Sequence, residues 1–517
     1  MRLYKEISRA KNGSEIPLFA SGKAAHSKYD PEREALSFLP EADGLLFAVV
    51  FGVGGGYHIE SLLQKNPDCK IIAVEESAED LAFLKSAVPC VRRLFENPNV
   101  IFCAAEIPGQ LENFILSNYF PACHGDLQMA ALRSWADEEG SGCKKLLDRA
   151  NKALKSLAAD YSVQARFGGL WQKNIFCNLR ILKKMQEKAA KEKSESRFEL
   201  RAKGKIAAVI AAGPTLDETI KKIEREPNNY WTIATDTAYK ILRRRGLRID
   251  AVVSIDAQRL SAEHFCAPFC KGTIFVLDLA ANPSIARLAF QRGAKIIFAN
   301  CGHPLISFAG TFCKRPFVRL SSGGGTVALA AADFAKHCGF EKIEIFGADF
   351  GYSRGKPYAR GSYLDDLYRM DERLQSNSET AFCRLMFRTP TKMNAAGFLQ
   401  NDVMLSYQKS LEDFFSGQGL SRKKNIWSAK PQAKGPPPLS SDEQLDFAAF
   451  KTALADMAKE LENTNSFTPR LAPLLPGIAY FRTKKAAFGQ DKGGQNISTK
   501  TAKKLALNKI LLYNDLI

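Results

Sequence analysis

Six apolar runs of strand length in the middle of this 517-residue chain each stop at a small or polar residue. KIAAVIAA stops at Gly213, YWTIAT at Asp236, AVVSI at Asp256, TIFVL at Asp278, KIIFA at Asn300 and KIEIFGA at Asp349. Ligands of open parallel sheets sit beyond the carboxyl ends of the strands, so the spacing predicts that these residues converge on one cleft. There Asp256 or Asp236 can take a hydroxyl proton if placed within hydrogen-bond reach, or can bind a ribose. The segment after Asp349, FGYSRGKPYARG, carries Tyr352 and Tyr358 among Arg354, Lys356 and Arg360. Phenol hydroxyls and cations suit stabilisation of charge on a departing phosphate, and a loop of this kind can exclude water. A basic surface loop is the alternative reading.

Two turns supply a place for an anion. In AAGPTLDETI, Gly213 and Pro214 form a tight turn before Thr215, whose hydroxyl either caps the following helix or leaves the turn amides to meet a phosphate or carboxylate. In RLSSGGGTVALAAADFA, the residues Ser321, Ser322, Gly323, Gly324, Gly325 and Thr326 expose donors without bulky side chains at the entry to an apolar helix. The P-loop spacing GxxxxGK[ST] is absent. With Asp236, Thr237, Asp256, Asn300 and Asp349, these turns make the expected nucleotide-binding set.

Nearer the N-terminus, GVGGGYHI leaves an apolar run, and Glu75 ends the next one, the spacing of a dinucleotide or S-adenosylmethionine fold. Close helix-sheet packing explains the same glycines, and no catalysis is assigned there. His264, Cys266 and Cys270 have the softness of metal ligands but lack a fourth partner nearby, so no metal site is assigned. His303, after the NCG turn, is a second-rank base that a structural role explains equally.

Elements must hold these residues in place. The run LLFAVVF, the glycines and helical periodicity through Ile59, Leu62 and Leu63 read as strand, turn, helix, and KIIAVEES then DLAFLKSAV repeat the alternation. This predicts a Rossmann-like domain over 1–143. Apolar stripes from Lys144 to Gln186 predict a helical connector over 144–200, interrupted at Gly168 and Gly169. A second α/β domain with a mostly parallel sheet spans 201–415 and carries the catalytic residues. A proline-rich linker, KPQAKGPPPLSSDEQ, lies within a basic helical region over 416–517.

Composition narrows the classes. Hydrophobic residues make up 45% and charged residues 25%, a globular mixture. The formal charge of +18 favours an anionic partner without choosing among phosphates, nucleotides and lipid headgroups. No apolar run is long enough to span a bilayer and no signal-like start is present, so a cytoplasmic protein is expected. The twelve cysteines form no CxxC pair and are expected to be reduced.

HSKYDPEREA, FGVGGGYH, AAGPTLDETI, ATDTAYKIL, VVSIDAQ, LSSGGGTVALAAADFA and IFGADFGY occur in this order across roughly residues 20 to 415. In these motifs the chain resembles the motility accessory factors, or Maf proteins, whose central domain is shared with MptE-like pterin diphosphokinases. The resemblance implies transfer of a nonulosonic acid, such as pseudaminic or legionaminic acid, from a CMP-activated donor to serines and threonines of flagellin. It implies a central domain like that of metal-independent sialyltransferases, with no tightly bound cofactor and no nucleic-acid partner. AAGPT and SSGG would then face the nucleotide, with Tyr352 and Tyr358 near the leaving phosphate. Those sialyltransferases place a catalytic histidine after the tyrosine loop, whereas the last histidine here is His337, so the general base is unassigned. Two other functions compete: pterin diphosphate transfer from ATP, with Asp236, Asp256 and Asp349 as magnesium ligands, and a non-catalytic flagellin-binding assembly role.

Overall fold

The computed structural model describes residues 2–517 apart from 139–141, 193–198, 201–205, 268, 270–271, 324, 374–375, 418–420, 424–425, 429–438, 441–443, 464–468 and 489–498. Most of the proline-rich linker, with Cys270 and Gly324, therefore lies outside the described residues. The chain forms two compact units, one of Met1–Gly169 with Met457–Lys509, the other of Leu170–Asp456 with Ile510–Ile517.

In the first unit β1 (Tyr4–Arg9) and β2 (Glu15–Phe19) form an antiparallel hairpin. The strands β3 (Phe47–Phe51), β4 (Lys70–Glu75), β5 (Val100–Ala104) and β6 (Gln128–Ala131) form a parallel sheet in the order β5-β4-β3-β6. All five residues of β3 are buried, which explains a continuous apolar run in place of alternation.

A short β7 (Glu199–Leu200) pairs with Leu439–Ser440 in the second unit. Its main sheet contains β8 (Ile206–Ile210), β9 (Tyr230–Thr235), β10 (Ala251–Ser254), β11 (Ile274–Asp278), β12 (Lys295–Asn300), β13 (Val318–Arg319) and β14 (Lys342–Phe346). The order is β13-β12-β11-β10-β9-β8-β14, all parallel, and Ile426–Ser428 and Ser421–Lys423 extend it antiparallel beyond β14. The expected α/β class with a mostly parallel central sheet is present. The helix Val327–His337, rich in alanine, lies against β8, β9 and β10, where small side chains let helix and sheet approach closely.

The compact units do not follow the boundaries expected from composition. One helix runs unbroken from Cys143 to Glu192, through Gly168 and Gly169. A Cβ at Gly168 would lie 1.8 Å from Pro476 O, and one at Gly169 would lie 2.5 Å from the Tyr480 ring. These glycines therefore make room for the 475–488 helix and do not break their own. The region after residue 415 is no detached tail either. Trp427 stacks on Phe415 at 4.3 Å, Phe450 and Leu454 are fully buried in the second unit, and Leu461, Ile478 and Ala502 are buried in the first. Truncation after Phe415 would therefore strip packing from both units.

Candidate functional site

The reversal of strand order in the second unit falls between β8 and β14, the place where such sheets usually open a crevice. Here it is sealed. Gly213 N donates to Gly347 O at 2.7 Å and Thr215 N to Asp349 Oδ2 at 2.7 Å, while the Thr215 hydroxyl donates to Asp349 Oδ1. Pro214 has no amide hydrogen. The Gly213 and Thr215 amides of the AAGPT turn are therefore engaged within the chain, and the hydroxyl of Thr215 bonds Asp349 and does not cap the helix, which is one turn long. Asp349 becomes a clamp on that turn, with burial raising its pKa and the Thr215 bonds opposing the rise. Both of its oxygens thus accept from Thr215.

The other glycine turn is held by bonds within itself and to its own helix. Ser321 N donates to Asp333 Oδ2 at 2.8 Å, and Ser322 O accepts from Gly325 N and Thr326 N, which folds the turn against the start of the 327–337 helix. Gly323 (φ 50°) and Gly325 (φ 117°) have the left-handed backbone this needs. The turn thus places Ser322 and the first turn of an 11-residue helix together, a favourable setting for negative charge.

Chemistry concentrates one and two strands over from the sealed point. Asp236 begins a helix directly after β9. It is 1% exposed, its Oδ1 accepts from Thr237 N at 2.7 Å and its Oδ2 from the Ser254 hydroxyl at 2.8 Å. Burial, opposed by those two donors, pushes its pKa up to about 6. Asp256 follows β10 and accepts from Gln258 N at 2.9 Å; burial raises its pKa first, Asp236 adds to the rise and His264 opposes it. Tyr358 feels Tyr363, Tyr352 and Asp236 electrostatically, and burial holds its phenol well above the ordinary value. Tyr363, at the start of the Tyr363–Met370 helix, is pushed to about 12 by burial, then by Tyr368, Asp256 and Asp236.

Tyr352 is placed differently. Its backbone pairs with Leu399 in both directions, at 2.8 and 3.0 Å, and its electrostatic partner is Arg388. It joins Tyr358, Tyr363 and Tyr368 around Leu364, Phe382 and Met386. The loop before them is strained, with Phe350 at φ 45° and Arg354 at φ 51°, at a cost of order 1 kcal/mol each. Arg354 pairs with Glu218 at 2.8 Å.

Two residues that sequence reasoning did not place in the site belong to it. His264 lies edge-on to Tyr363, ring centroids 4.5 Å apart, and Tyr363 feels the two aspartates electrostatically. The GSYLDDLY segment carried the signal for Tyr363 in its Ser362 cap, whose hydroxyl accepts from Asp365 N. His264 had none, because the 3-10 turn Arg259–Phe265 that carries it leaves no periodicity.

Asn300, expected to face a nucleotide, is spent on its own turn: Nδ2 donates to the Ser307 hydroxyl at 2.9 Å and Oδ1 accepts from Gly302 N at 2.8 Å. His303 uses Nδ1 to accept from Leu305 N at 3.1 Å and rests against Trp171, a structural assignment. Asn174 and Asn178 of the long helix bond the carbonyls of Ala257, Ala280, Leu279 and Ala281, so they brace the loops after β10 and β11.

Asp278, 7% exposed, has Oδ1 without a hydrogen-bond partner among the described residues, and burial pushes its pKa from 3.8 to about 7. A carboxyl raised in the folded state stabilises most at low pH and loses that stability as pH climbs through about 7. Asp278→Asn should therefore melt higher than the parent at pH 8 and differ less at pH 5, by on the order of 1 kcal/mol per unit of pKa shift relieved. Scanning calorimetry of the full chain at the two pH values checks this. A gap that fails to widen with pH would contradict it.

The glycine-rich turn of the first unit is closed by its own residues. Gly52 N bonds Val74 O, Val53 N bonds Glu75 Oε2, Gly54 N bonds the Tyr4 hydroxyl, Gly55 N bonds His26 Nε2 and Gly56 N bonds Val53 O. Glu75 also accepts from Tyr4, from Trp135 Nε1 at 2.6 Å and from Glu76 N, leaving it no part in binding a ribose. HSKYDPEREA folds so that Asp30 caps a short helix and Glu34 lies 3.4 Å from His26 Nδ1, behind the ring that holds Gly55. Among the described residues no group of three His, Cys, Asp or Glu is disposed around a common metal position, and no helix is long and apolar enough to cross a membrane.

Comparison with known proteins fits this architecture. A family described as 6-hydroxymethylpterin diphosphokinase MptE-like matches residues 177–355. Two proteins of Treponema pallidum (strain Nichols), both named only as uncharacterized, match in sequence. One is 37% identical over 225 residues, 43% of this chain and 72% of its own length. The other is 30% identical over 158 residues, 30% of this chain and 71% of its own. In fold, the chain is similar to a solved MAf glycosyltransferase from Magnetospirillum magneticum AMB-1, with a TM-score of 0.55 and 13% identity over 99% of this chain and 87% of that one. This chain belongs to one family with the two Treponema proteins, and its residues 177–355 match the MptE-like model.

Proposed function

We propose that this protein is a glycosyltransferase that moves a nonulosonic acid from a CMP-activated donor to serine or threonine hydroxyls of flagellin in the cytoplasm, with inversion at the anomeric carbon and no tightly bound cofactor. The observation that carries the reading is that Asp236 and Asp256 follow the adjacent strands β9 and β10, with Tyr358 and Tyr363 near enough to feel them electrostatically, in a sheet where the Ser321–Thr326 turn begins a helix. The solved neighbour named a glycosyltransferase has the same fold. In this reading the 321–326 turn receives the CMP phosphate, while Asp236 and Asp256 shape the ribose and acceptor end. Tyr358 and Tyr363 stand by the charge that develops as CMP leaves, where fixed donors act most strongly in the transition state.

The experiment incubates the full chain with flagellin and CMP-nonulosonate, and separately with ATP, magnesium and 6-hydroxymethylpterin. Mass gain on flagellin is expected; turnover of the pterin would instead favour diphosphate transfer, and binding to flagellin without either product a non-catalytic role. Tyr358→Phe and Tyr363→Phe should each lower kcat by about 10- to 100-fold, the loss of a hydrogen bond to a charged group, with donor affinity little changed. Tyr352→Phe should do less, because its surroundings are the hairpin at Leu399 and Arg388. Equal rates in all three variants would remove the tyrosine cluster from the reaction.

A further inference from the structure

We propose, resting on the transferase reading above, that Asp366 is a positioning residue: its ion pairs with Lys240 and Arg244 fix the register of the Tyr363–Met370 helix against the Asp236–Arg244 helix, and with it the place of Tyr363 and Tyr358 at the reacting end.

Helical spacing turns the pairing into a ruler. Asp236, Lys240 and Arg244 recur every four residues and so line one face of their helix, while Tyr363 and Asp366, three apart, are neighbours on the surface of theirs. Asp366 Oδ2 lies 2.5 Å from Lys240 Nζ, and the Arg244 guanidinium donates to both oxygens of Asp366, at 3.0 and 2.7 Å. Arg244 Nη1 also reaches Gly361 O at 3.5 Å. One turn back, Tyr363 stands edge-on to His264 at 4.5 Å, and the 3-10 turn that carries His264 packs on the same 236–244 helix, with the Phe265 and Tyr239 rings 5.1 Å apart. The neighbouring carboxylate is committed elsewhere, since Asp365 Oδ2 accepts from Gly361 N at 2.7 Å, just ahead of its own helix.

Apolar packing cannot set this register. Among the described residues the tyrosine cluster buries Leu364, Phe382 and Met386, and such contact is non-directional, so it holds the helix down without choosing its offset. The ion pairs are directional and partly hidden: Lys240 is 8% exposed. A buried cation that loses its partner is costly, so a slip of one helical turn, about 5.4 Å, breaks the arrangement. A second carboxylate extends the clamp toward Tyr358. Asp217 accepts from Arg245 Nη2 at 2.6 Å on one oxygen and from Arg360 N at 3.2 Å on the other, while Ala359 N donates to Ala212 O at 2.9 Å.

The test uses the full-length chain. Asp366→Asn should lower kcat for flagellin glycosylation by about 10- to 100-fold, the effect of a small misplacement at the reacting centre, with CMP affinity by calorimetry within about threefold of the parent. Asp366→Glu, which keeps the charge, should restore most of the rate. Lys240→Met combined with Asp366→Leu separates positioning from stability. Replacing a buried ion pair by apolar residues commonly keeps or raises stability, so this double variant should melt at least as high as Asp366→Asn while kcat stays low. If turnover returns together with the melting temperature, or if Asp366→Asn turns over at the parental rate, the bridge only stabilises and the proposal fails. A 3-fluorotyrosine at position 363 reads the ring directly by fluorine NMR: its resonance should move in Asp366→Asn and return in Asp366→Glu. An unmoved resonance would overturn the assignment. If the parent transfers nothing from CMP-nonulosonate, the donor reading fails, and the fluorine resonance alone then decides whether Asp366 places Tyr363.

Discussion

Gly213→Ala is expected to destabilise the central unit by about 3 to 5 kcal/mol, the range of a lost buried network, and to lower its melting transition by on the order of 10 °C. A Cβ at this position would lie 2.5 Å from both Asp349 Oδ2 and Gly347 O. Gly347 O is backbone at the end of β14 and cannot yield without loosening the β8–β14 ladder, which runs through Ile210 and Phe346. The bonds from Gly213 N to Gly347 O, and from Thr215 to Asp349, would go with it. An electrostatic account of this turn predicts that Ala is harmless and only Asp weakens an anion; the packing account predicts that both unfold the unit. Calorimetry and circular dichroism on the full chain separate the two, and a parental melting transition for Gly213→Ala would show that the junction can open.

Trp135→Ala should cost the first unit about 3 to 5 kcal/mol, because the indole is a fully buried large side chain and its Nε1 is a donor to Glu75. The loss should also depend on pH. Glu75 is 0% exposed and burial, partly offset by its donors, sets its pKa at about 7. A carboxyl with a raised folded pKa stabilises below its unfolded value and loses that contribution as pH rises through the folded one. Removing the indole donor takes away support for the ionised form, so the variant should fall further behind the parent at pH 8 than at pH 5. A constant gap between parent and variant across that range would mean that Glu75 does not ionise in the folded unit. Neither the variant nor the parent is expected to bind NADH or S-adenosylmethionine, since the amides of residues 52–56 remain committed within the chain.

The same physical fact separates the two glycine turns of the central unit. Whether a turn can hold an anion depends on whether its amides are free, and that is settled by neighbours far away in sequence. Thr215 and Asp349 are 134 residues apart, so no local pattern could show that one consumes the other. At Ser321–Thr326 the bonds are local instead, with Ser321 N on Asp333 and the amides of Gly325 and Thr326 on Ser322 O.

The amino-acid sequence by itself determined the alternation of elements, because doubly buried strands must be written as continuous apolar runs, and so it located β3, β4, β8 to β12 and β14. It also determined that Asp236 and Asp256 stand together, since both end adjacent strands of one parallel sheet. The tertiary structure alone decided which polar groups remain available. It spent Asn300, Asp349 and Glu75 on internal bonds, brought His264 and Tyr363 edge to face, and joined residues 457–509 to the N-terminal unit. Periodicity reports which face of an element is buried, whereas the pairing of a donor with a distant acceptor depends on how the elements are stacked.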